Sequence, residues 1–346
     1  MTTIKDVAKK ANVSISTVSH VINNTKHVKK STKDRVNDAI SELNYKTNIF
    51  AKNLKSQSTK HIGVILIDAC GLFFPYVLKE IMNEAEKNGF SLTFFDTNCK
   101  ISIEKNVIAS LVDQCVDGII LSSAIAPSQK ESYSHELREL LSASPKPIPL
   151  VMLERDFSDY GFDSVCTNTY IGGVMAVNHL IESGCKNIAH IAVPSGQGGR
   201  SLAYQHVLEI NNLPFNPEYV EIGDYTHESG YRCMKKILEH NLPIDGVFSA
   251  NDQMAVGVVR ALKEANLDIP SDVKVIGFDN VFLCDSLAPP LSSIHVPKKE
   301  LGKKSIDLLL ERIKNGPAKI PYKETLKSFL IARESTGGGN TSFNQR

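Results

Sequence analysis

Residues 12–23 read NVSISTVSHVIN, and how this stretch folds decides the architecture of the N-terminal part. By residue type it favours a strand, because Val and Ile are β-branched, and Val13, Ser14 and Ile15 even alternate. The spacing then changes. Val18, Val21 and Ile22 recur three and four residues apart, as on one helix face, so the spacing predicts a helix with Ser14 as its N-cap. Upstream, Ile4, Val7, Ala8 and Ala11 repeat the interval behind a Thr3–Asp6 capping box. Downstream, Val36, Ala39, Ile40 and Leu43 repeat it behind a Ser31–Asp34 box. Three short helices, the first two joined through residues 12–15, predict a helix-turn-helix head over residues 1–46.

The chain has 346 residues, 42% hydrophobic and 22% charged, which predicts two or three ordinary globular domains. No apolar run reaches membrane-spanning length, and the start, MTTIKDVAKK, lacks the apolar core of a signal peptide. The expectation is a cytoplasmic protein with no membrane partner. Seven cysteines (Cys70, Cys99, Cys115, Cys166, Cys185, Cys233 and Cys284) stand singly. Neither a disulfide framework nor a metal site is expected from them. The net charge of +1 hides an asymmetry: residues 1–60 hold 12 basic and 4 acidic residues, net +8, and the remainder holds 27 and 34, net −7. A basic head on an acidic body points to a polyanion partner for the head, although a solvated basic face would look the same.

Residues 47–60, TNIFAKNLKSQSTK, are polar and lack a full apolar face. A helix there would be marginal alone and reads as a linker that orders on binding. From His61 onward, HIGVILID, SLTFFDT, DGIILSS, IPLVMLE, NIAHIAV, YVEIGD, DGVFSAN and VKVIGFD read as buried strands. Amphipathic helical stretches such as FPYVLKEIMNEAEKNG alternate with them. This pattern predicts parallel sheets covered on both faces, and its internal echo suggests two similar lobes. Ligands bind beyond the carboxyl ends of such strands. Those ends are polar here: Asp68, Asn98, Ser122–Ser123, Glu154–Arg155, Pro194, Asn251–Asp252 and Asp279–Asn280. The set suits a hydroxylated small molecule.

In order, TIKDVAKKANVSISTVSHVIN, LKSQSTKHIGVIL, ANDQMAVG, VIGFDN and PPLSSIHVPKKELG resemble the lactose/purine repressor (LacI/GalR) family, over nearly the whole chain. The resemblance implies an all-α helix-turn-helix head plus an α/β body of two doubly wound parallel-sheet lobes, of periplasmic-binding-protein type. It also implies a homodimer that represses transcription at a double-stranded DNA operator, under control of a small-molecule effector, a sugar or sugar derivative, with no enzyme cofactor. The expected lobes are residues 61–160 with 290–321, and 161–289 with 322–335. The chain would cross between them near 158–162, 288–292 and 320–324. The tail, 336–346, lacks leucine heptads, which favours a dimer.

On a helix over 14–22, Ile15, Ser16, Ser19 and His20 fall largely opposite the apolar face. Short side chains allow close approach to a major groove; Ser16 bonds several bases, His20 donates to guanine, and Ile15 packs on a thymine methyl. The resemblance assigns base reading to Ile15, Ser16 and His20, and phosphate contacts to Thr17 and Ser19. Ile15 has a second reading, core packing, and His20 another, a solvated imidazole. Asn23, Asn24, Lys29, Lys30, Lys33 and Lys55 are backbone-contact candidates. Leu54, an isolated leucine in the linker, matches the family's minor-groove wedge.

For the effector, the resemblance places Arg200, Asn251 and Asp279 in the crevice as hydroxyl-binding groups. Phe73 and Phe74 lie where an apolar side chain stacks on the ligand, with core packing an equal reading for one of them. Glu154 and Arg155 end a strand facing the crevice, Phe282 closes it, and Asp252 is the expected N-cap of the helix that follows. Two departures stand out: Thr167–Asn168, and the glycine-rich SGQGGR (195–200), read either as an anion-binding loop or a flexible one. Three other functions compete. A glycosidase would use Asp252, Asp279 or Glu154, but no catalytic signature accompanies them. A transport protein should carry a signal peptide and no helix-turn-helix. A catabolite-control-type regulator would be gated by a phosphoprotein partner.

Overall fold

The computed structural model describes residues 2–23, 26–45, 58–193 and 198–338, with Asn23 described in its backbone alone. Asn24, Leu54, Lys55 and most of the expected hinge lie outside the described residues. The chain divides into two units, Met1–Thr59 and Lys60–Arg346.

The first unit contains α1 (Ile4–Ala11), α2 (Ile15–Asn23) and α3 (Lys30–Glu42). The Asp6 carboxylate accepts the Thr3 backbone N–H and hydroxyl, both at 2.8 Å, which ties off the first turn. Asn12 ends α1 at φ 51, a left-handed conformation asparagine tolerates. The chain then doubles back, and the Val13 N–H donates to the Ala8 carbonyl at 3.0 Å. Ser14 opens α2, its hydroxyl accepting the Thr17 N–H at 3.1 Å. The Ser31–Asp34 box is not formed. Helix α3 starts two residues earlier than a Ser31 cap would give, at Lys30, because the Lys29 carbonyl accepts both Thr32 and Lys33 N–H at 3.0 Å. Val7, Ala8, Ala11, Val18, Val21, Val36 and Ala39 form the core, with Ile22 packed beside it. Each fully buried Val contributes roughly 1.5–3 kcal/mol, so this core has no surplus.

The second unit contains two six-stranded sheets of matching order. The first comprises β1 (His61–Leu66), β2 (Ser91–Asp96), β3 (Gly118–Leu121), β4 (Leu150–Leu153), β5 (Asp163–Thr167) and β11 (Lys323–Leu326), in the order β11-β5-β4-β3-β1-β2. Helices α4 (Phe74–Lys87), α5 (Ile101–Asp113), α6 (Lys130–Ser142) and α11 (Lys298–Asn315) accompany it. The second comprises β6 (Ile188–Ala192), β7 (Val220–Ile222), β8 (Gly246–Ser249), β9 (Lys274–Asp279), β10 (Ser292–His295) and β12 (Phe329–Ile331), in the order β12-β10-β9-β8-β6-β7. With it go α7 (Thr169–Glu182), α8 (Gly199–Ile210), α9 (His227–Glu239) and α10 (Asp252–Glu264). All pairings are parallel except β10 with β12.

Four strands escape a sequence reading: DSVCT, SSIH, KETL and FLI. At three to five residues they are too short to show a period; their pairing partners make them strands. Their membership corrects the expected lobe boundaries. Because β5 belongs to the first sheet and α7 packs on the second, the first crossing falls at residue 168, not 158–162. Strand β10 delays the second to 296–297 and β11 delays the third to 327–328. Arg312 of α11 fixes β5 and β11 together: its Nε donates to Asp163 Oδ2 at 2.7 Å, and Asp163 Oδ1 accepts the Tyr322 N–H at 2.6 Å. No described helix is long and apolar enough to cross a membrane.

Candidate functional site

On α2, Val18 and Val21 are buried, while Ile15 is 45% exposed, so its core-packing reading gives way. Ser16 is exposed, and Thr17, Ser19 and His20 are half-buried. The Ser16 and Thr17 hydroxyls lie 2.7 and 2.8 Å from that of Ser14, forming a hydroxyl cluster over the first turn of α2. Lys5, Lys9, Lys29, Lys30 and Lys33 are exposed on the same unit.

Between the two sheets lies a cavity of about 350 Å³. It is built from strand ends and helix starts, as a doubly wound topology dictates. Phe73, Phe74, Arg155, Arg200, Asn251 and Asp279 line it together with Asp68, Ser122 and Glu154. Phe282 does not: it is 55% exposed on a 3-10 turn, because the neighbouring Val281 and Cys284 take the buried positions. Phe74 is embedded in the hydrophobic core with Phe73 packed at its edge, the rings 5.0 Å apart and edge-to-face. Phe73 is therefore the less buried of the two rings that line the cavity.

Asn251, not Asp252, caps α10. Asn251 Oδ1 accepts the Met254 N–H at 2.8 Å and its Nδ2 donates to the Tyr225 carbonyl at 3.1 Å. Asp252 is buried behind it, accepting the Ser293 hydroxyl at 2.7 Å and the Val281 N–H at 2.8 Å. These bonds hold the turn after β9, where Asp279 and Asn280 both have positive φ, 107° and 52°. Lys298 supports the same turn, its ammonium donating to the carbonyls of Asp279, Asn280 and Val296 at 2.5, 3.1 and 3.2 Å. Asp279 is thus aimed into the cavity by a non-glycine backbone that its surroundings over-determine.

Arg200 sits in the first turn of α8. A Cβ at Gly199 would fall 2.7 Å from the Tyr170 backbone nitrogen, so only glycine lets α7 and α8 start this close. The guanidinium lies 4.0 Å over the Phe278 ring and 3.7 Å from Asp279. Among the described residues, its buried Nε has no hydrogen-bond partner, and neither does the Ser122 hydroxyl. Burial pushes the Asp279 carboxyl up to about 8, against the pull of Arg200. Burial raises Glu154 and Asp68 as well. Thr167 donates its N–H and hydroxyl to Glu154 at 2.8 and 2.9 Å, so the Thr167 departure serves to hold that carboxylate. Pro194 and residues 195–197 of the glycine-rich loop lie outside the described residues.

Lys130, Tyr225, Gln253 and Lys323 also line the cavity, and sequence reasoning missed them. Tyr225, the residue immediately after YVEIGD, could have been found as a strand-end residue; the other three carry no local signal. Gln253 joins the lobes, its Oε1 accepting the Leu72 N–H at 3.1 Å.

A helix-turn-helix head and a two-lobed body with a polar cleft are the architecture of a DNA-binding regulator. The comparisons agree. Residues 3–48 match bacterial regulatory proteins of the lacI family, and residues 177–336 match a periplasmic binding protein-like domain. The chain is 35% identical over 323 residues to the HTH-type transcriptional repressor PurR of Aliivibrio fischeri, covering 91% of this chain and 93% of that one. It superposes on the lac repressor dimer bound to operator and the anti-inducer ONPF with TM-score 0.83, 26% identity, and 97% and 99% of the chains covered. A second structure, the CelR–cellobiose complex, gives TM-score 0.69, 27% identity, and 97% and 100% covered. The chain belongs to the lacI family and is a DNA-binding transcriptional repressor, not an enzyme.

Proposed function

We propose that this repressor binds a near-palindromic operator as a homodimer in the cytoplasm, and that a carbohydrate-like effector held between the lobes sets its DNA affinity. Ile15, Ser16 and His20 read base edges; Thr17, Ser19, Asn23 and Lys55 contact the backbone; Leu54 wedges into the minor groove. Arg200 and Asp279 grip the effector, Asn251 shapes its site, Phe73 stacks on it, and Arg155 faces it from the first lobe. The relatives' dimer, operator and bound saccharide support this reading. The observation that carries the effector assignment is the pair of buried, partnerless polar groups lining one cavity, Arg200 Nε and Ser122 Oγ. Buried polar groups are almost always satisfied, so two such groups without a partner among the described residues support a polar ligand in this cavity.

An effector that binds one lobe arrangement better than the other must shift DNA affinity by that difference, and operator binding must shift effector affinity equally. The test is a melting-temperature screen of the full chain against sugars, sugar acids and purines. A compound that raises the melting temperature should lose its effect in Asp279→Ala and should change operator affinity. A stabilising compound indifferent to Asp279→Ala would remove the cavity from consideration.

A further inference from the structure

Four basic side chains (Lys130, Arg155, Arg200 and Lys323) and four carboxyls (Asp68, Glu154, Asp156 and Asp279) line the cavity, yet among the described residues neither guanidinium is hydrogen-bonded to a carboxylate of the cavity. Arg155 spends its hydrogen bonds on neutral groups: Nε donates to the Ser123 carbonyl at 2.9 Å and Nη1 to the Glu154 carbonyl at 3.2 Å, with the Tyr225 hydroxyl beside it. Arg200 has its partnerless Nε and stands 3.7 Å from Asp279, beyond hydrogen-bond reach. Lys130 donates to the Asp156 backbone carbonyl at 2.9 Å. Among the lining carboxylates, Asp156 is paired with Lys323 at 2.5 Å, and both Glu154 oxygens are taken by Thr167. Burial favours the neutral forms of Asp68, Glu154 and Asp279, which weakens each of them as a counter-ion.

A largely buried guanidinium that makes no hydrogen bond to an anion is costly, and its planar fork matches a carboxylate or phosphate. The two arginines come from opposite lobes, yet both act on Glu154 and on the half-buried Tyr225. One small anion near those two residues is therefore within the field of both. We propose that the effector is a hydroxylated acid, a sugar carboxylate or sugar phosphate, whose oxyanion is gripped by Arg155 from the first lobe and Arg200 from the second. This rests on the cavity being the effector site. It adds a reason for lobe closure, since the anion binds fully only when both guanidinium groups reach it.

The test uses the full chain and matched pairs at constant ionic strength: D-glucose against D-glucuronate, D-ribose against ribose 5-phosphate, and inorganic phosphate alone. At least one acid should raise the melting temperature where its neutral partner does not, the carboxylate and phosphate arms showing which oxyanion fits. Arg155→Gln and Arg200→Gln should each weaken that acid on the order of tenfold or more, and Arg155→Lys less, because it keeps the charge and loses the fork. Circular dichroism identifies a variant that has simply lost its fold. A neutral sugar that matches its acid, yet needs Asp279, overturns the acid assignment and leaves the effector cavity standing. An acid whose shift survives both arginine substitutions and Asp279→Ala overturns the cavity reading as well. No shift with any acid or with inorganic phosphate overturns the proposal.

Discussion

The two recognition surfaces of this protein solve opposite problems. On α2 of the head, Ile15 and Ser16 stand in solvent on an element whose other face is core. Their cost of display is small, and in the proposed complex the DNA would supply the low-dielectric surroundings. In the body, Arg200, Asp279 and Glu154 are withdrawn from water before any ligand arrives. The protein bears the desolvation in advance, visible as carboxyls raised by burial and a guanidinium nitrogen without a partner. A surface for a large polyanion needs reach and small side chains; a cavity for a small molecule needs preorganised, buried polar groups.

Four experiments break or sharpen that contrast. The largest effect belongs to Val18→Asp. It buries an unpaired charge in a head core of seven small residues, so operator binding should vanish while the body's melting transition stays in place. A coincident loss of both transitions would mean that the two units fold as one.

Next comes the pH response of Asp279. Its carboxyl is raised by burial from an ordinary 3.8 to about 8, so between those values the folded state holds a proton that the unfolded state has lost. Its contribution to stability is full below the unfolded value and is lost as pH climbs towards the folded one, by up to roughly 1.4 kcal/mol per pH unit. Asp279→Asn, compared with the parent in melts from pH 5 to 8, should fall less steeply. Parallel curves would show that the carboxyl is ionised throughout.

Ser16→Ala should cost about 1–3 kcal/mol at cognate operator and relax preference at one base pair, while leaving non-specific binding and its salt dependence unchanged. A uniform loss on all sequences would make Ser16 a phosphate contact or part of the α2 cap. The smallest effect is Phe282→Ala. Being exposed and outside the cavity, it should leave effector affinity within about twofold, near the ±0.5 kcal/mol typical of surface changes.

The head was legible because its information is local. Three-four spacing at Val18, Val21 and Ile22, and the hydroxyl of Ser14, specify α2 without reference to distant residues. The one local reading that failed, the Ser31–Asp34 box, lost to a backbone entry at Lys29 that competes within two residues. The cavity was half legible. Strand ends pointed to Asp68, Ser122, Glu154, Arg155, Asn251 and Asp279, because the doubly wound topology sends ligands there. Which of Asn251 and Asp252 caps the helix could not be read from adjacent positions, since it turns on the Ser293 and Val281 groups that claim Asp252. Lys130 and Lys323 show no pattern at all.

The sequence by itself determined the helix-turn-helix head, the two-lobed α/β class and the family, because apolar periodicity and collinear motifs are short-range properties of the chain. Only the tertiary structure decided where the chain crosses between lobes. SSIH and KETL become strands by pairing with neighbours already in place. Only the tertiary structure, too, separated Phe73 from Phe74 and set Arg155 and Arg200 facing one cavity. Burial and charge balance are sums over elements distant in sequence, and no window of the chain contains them.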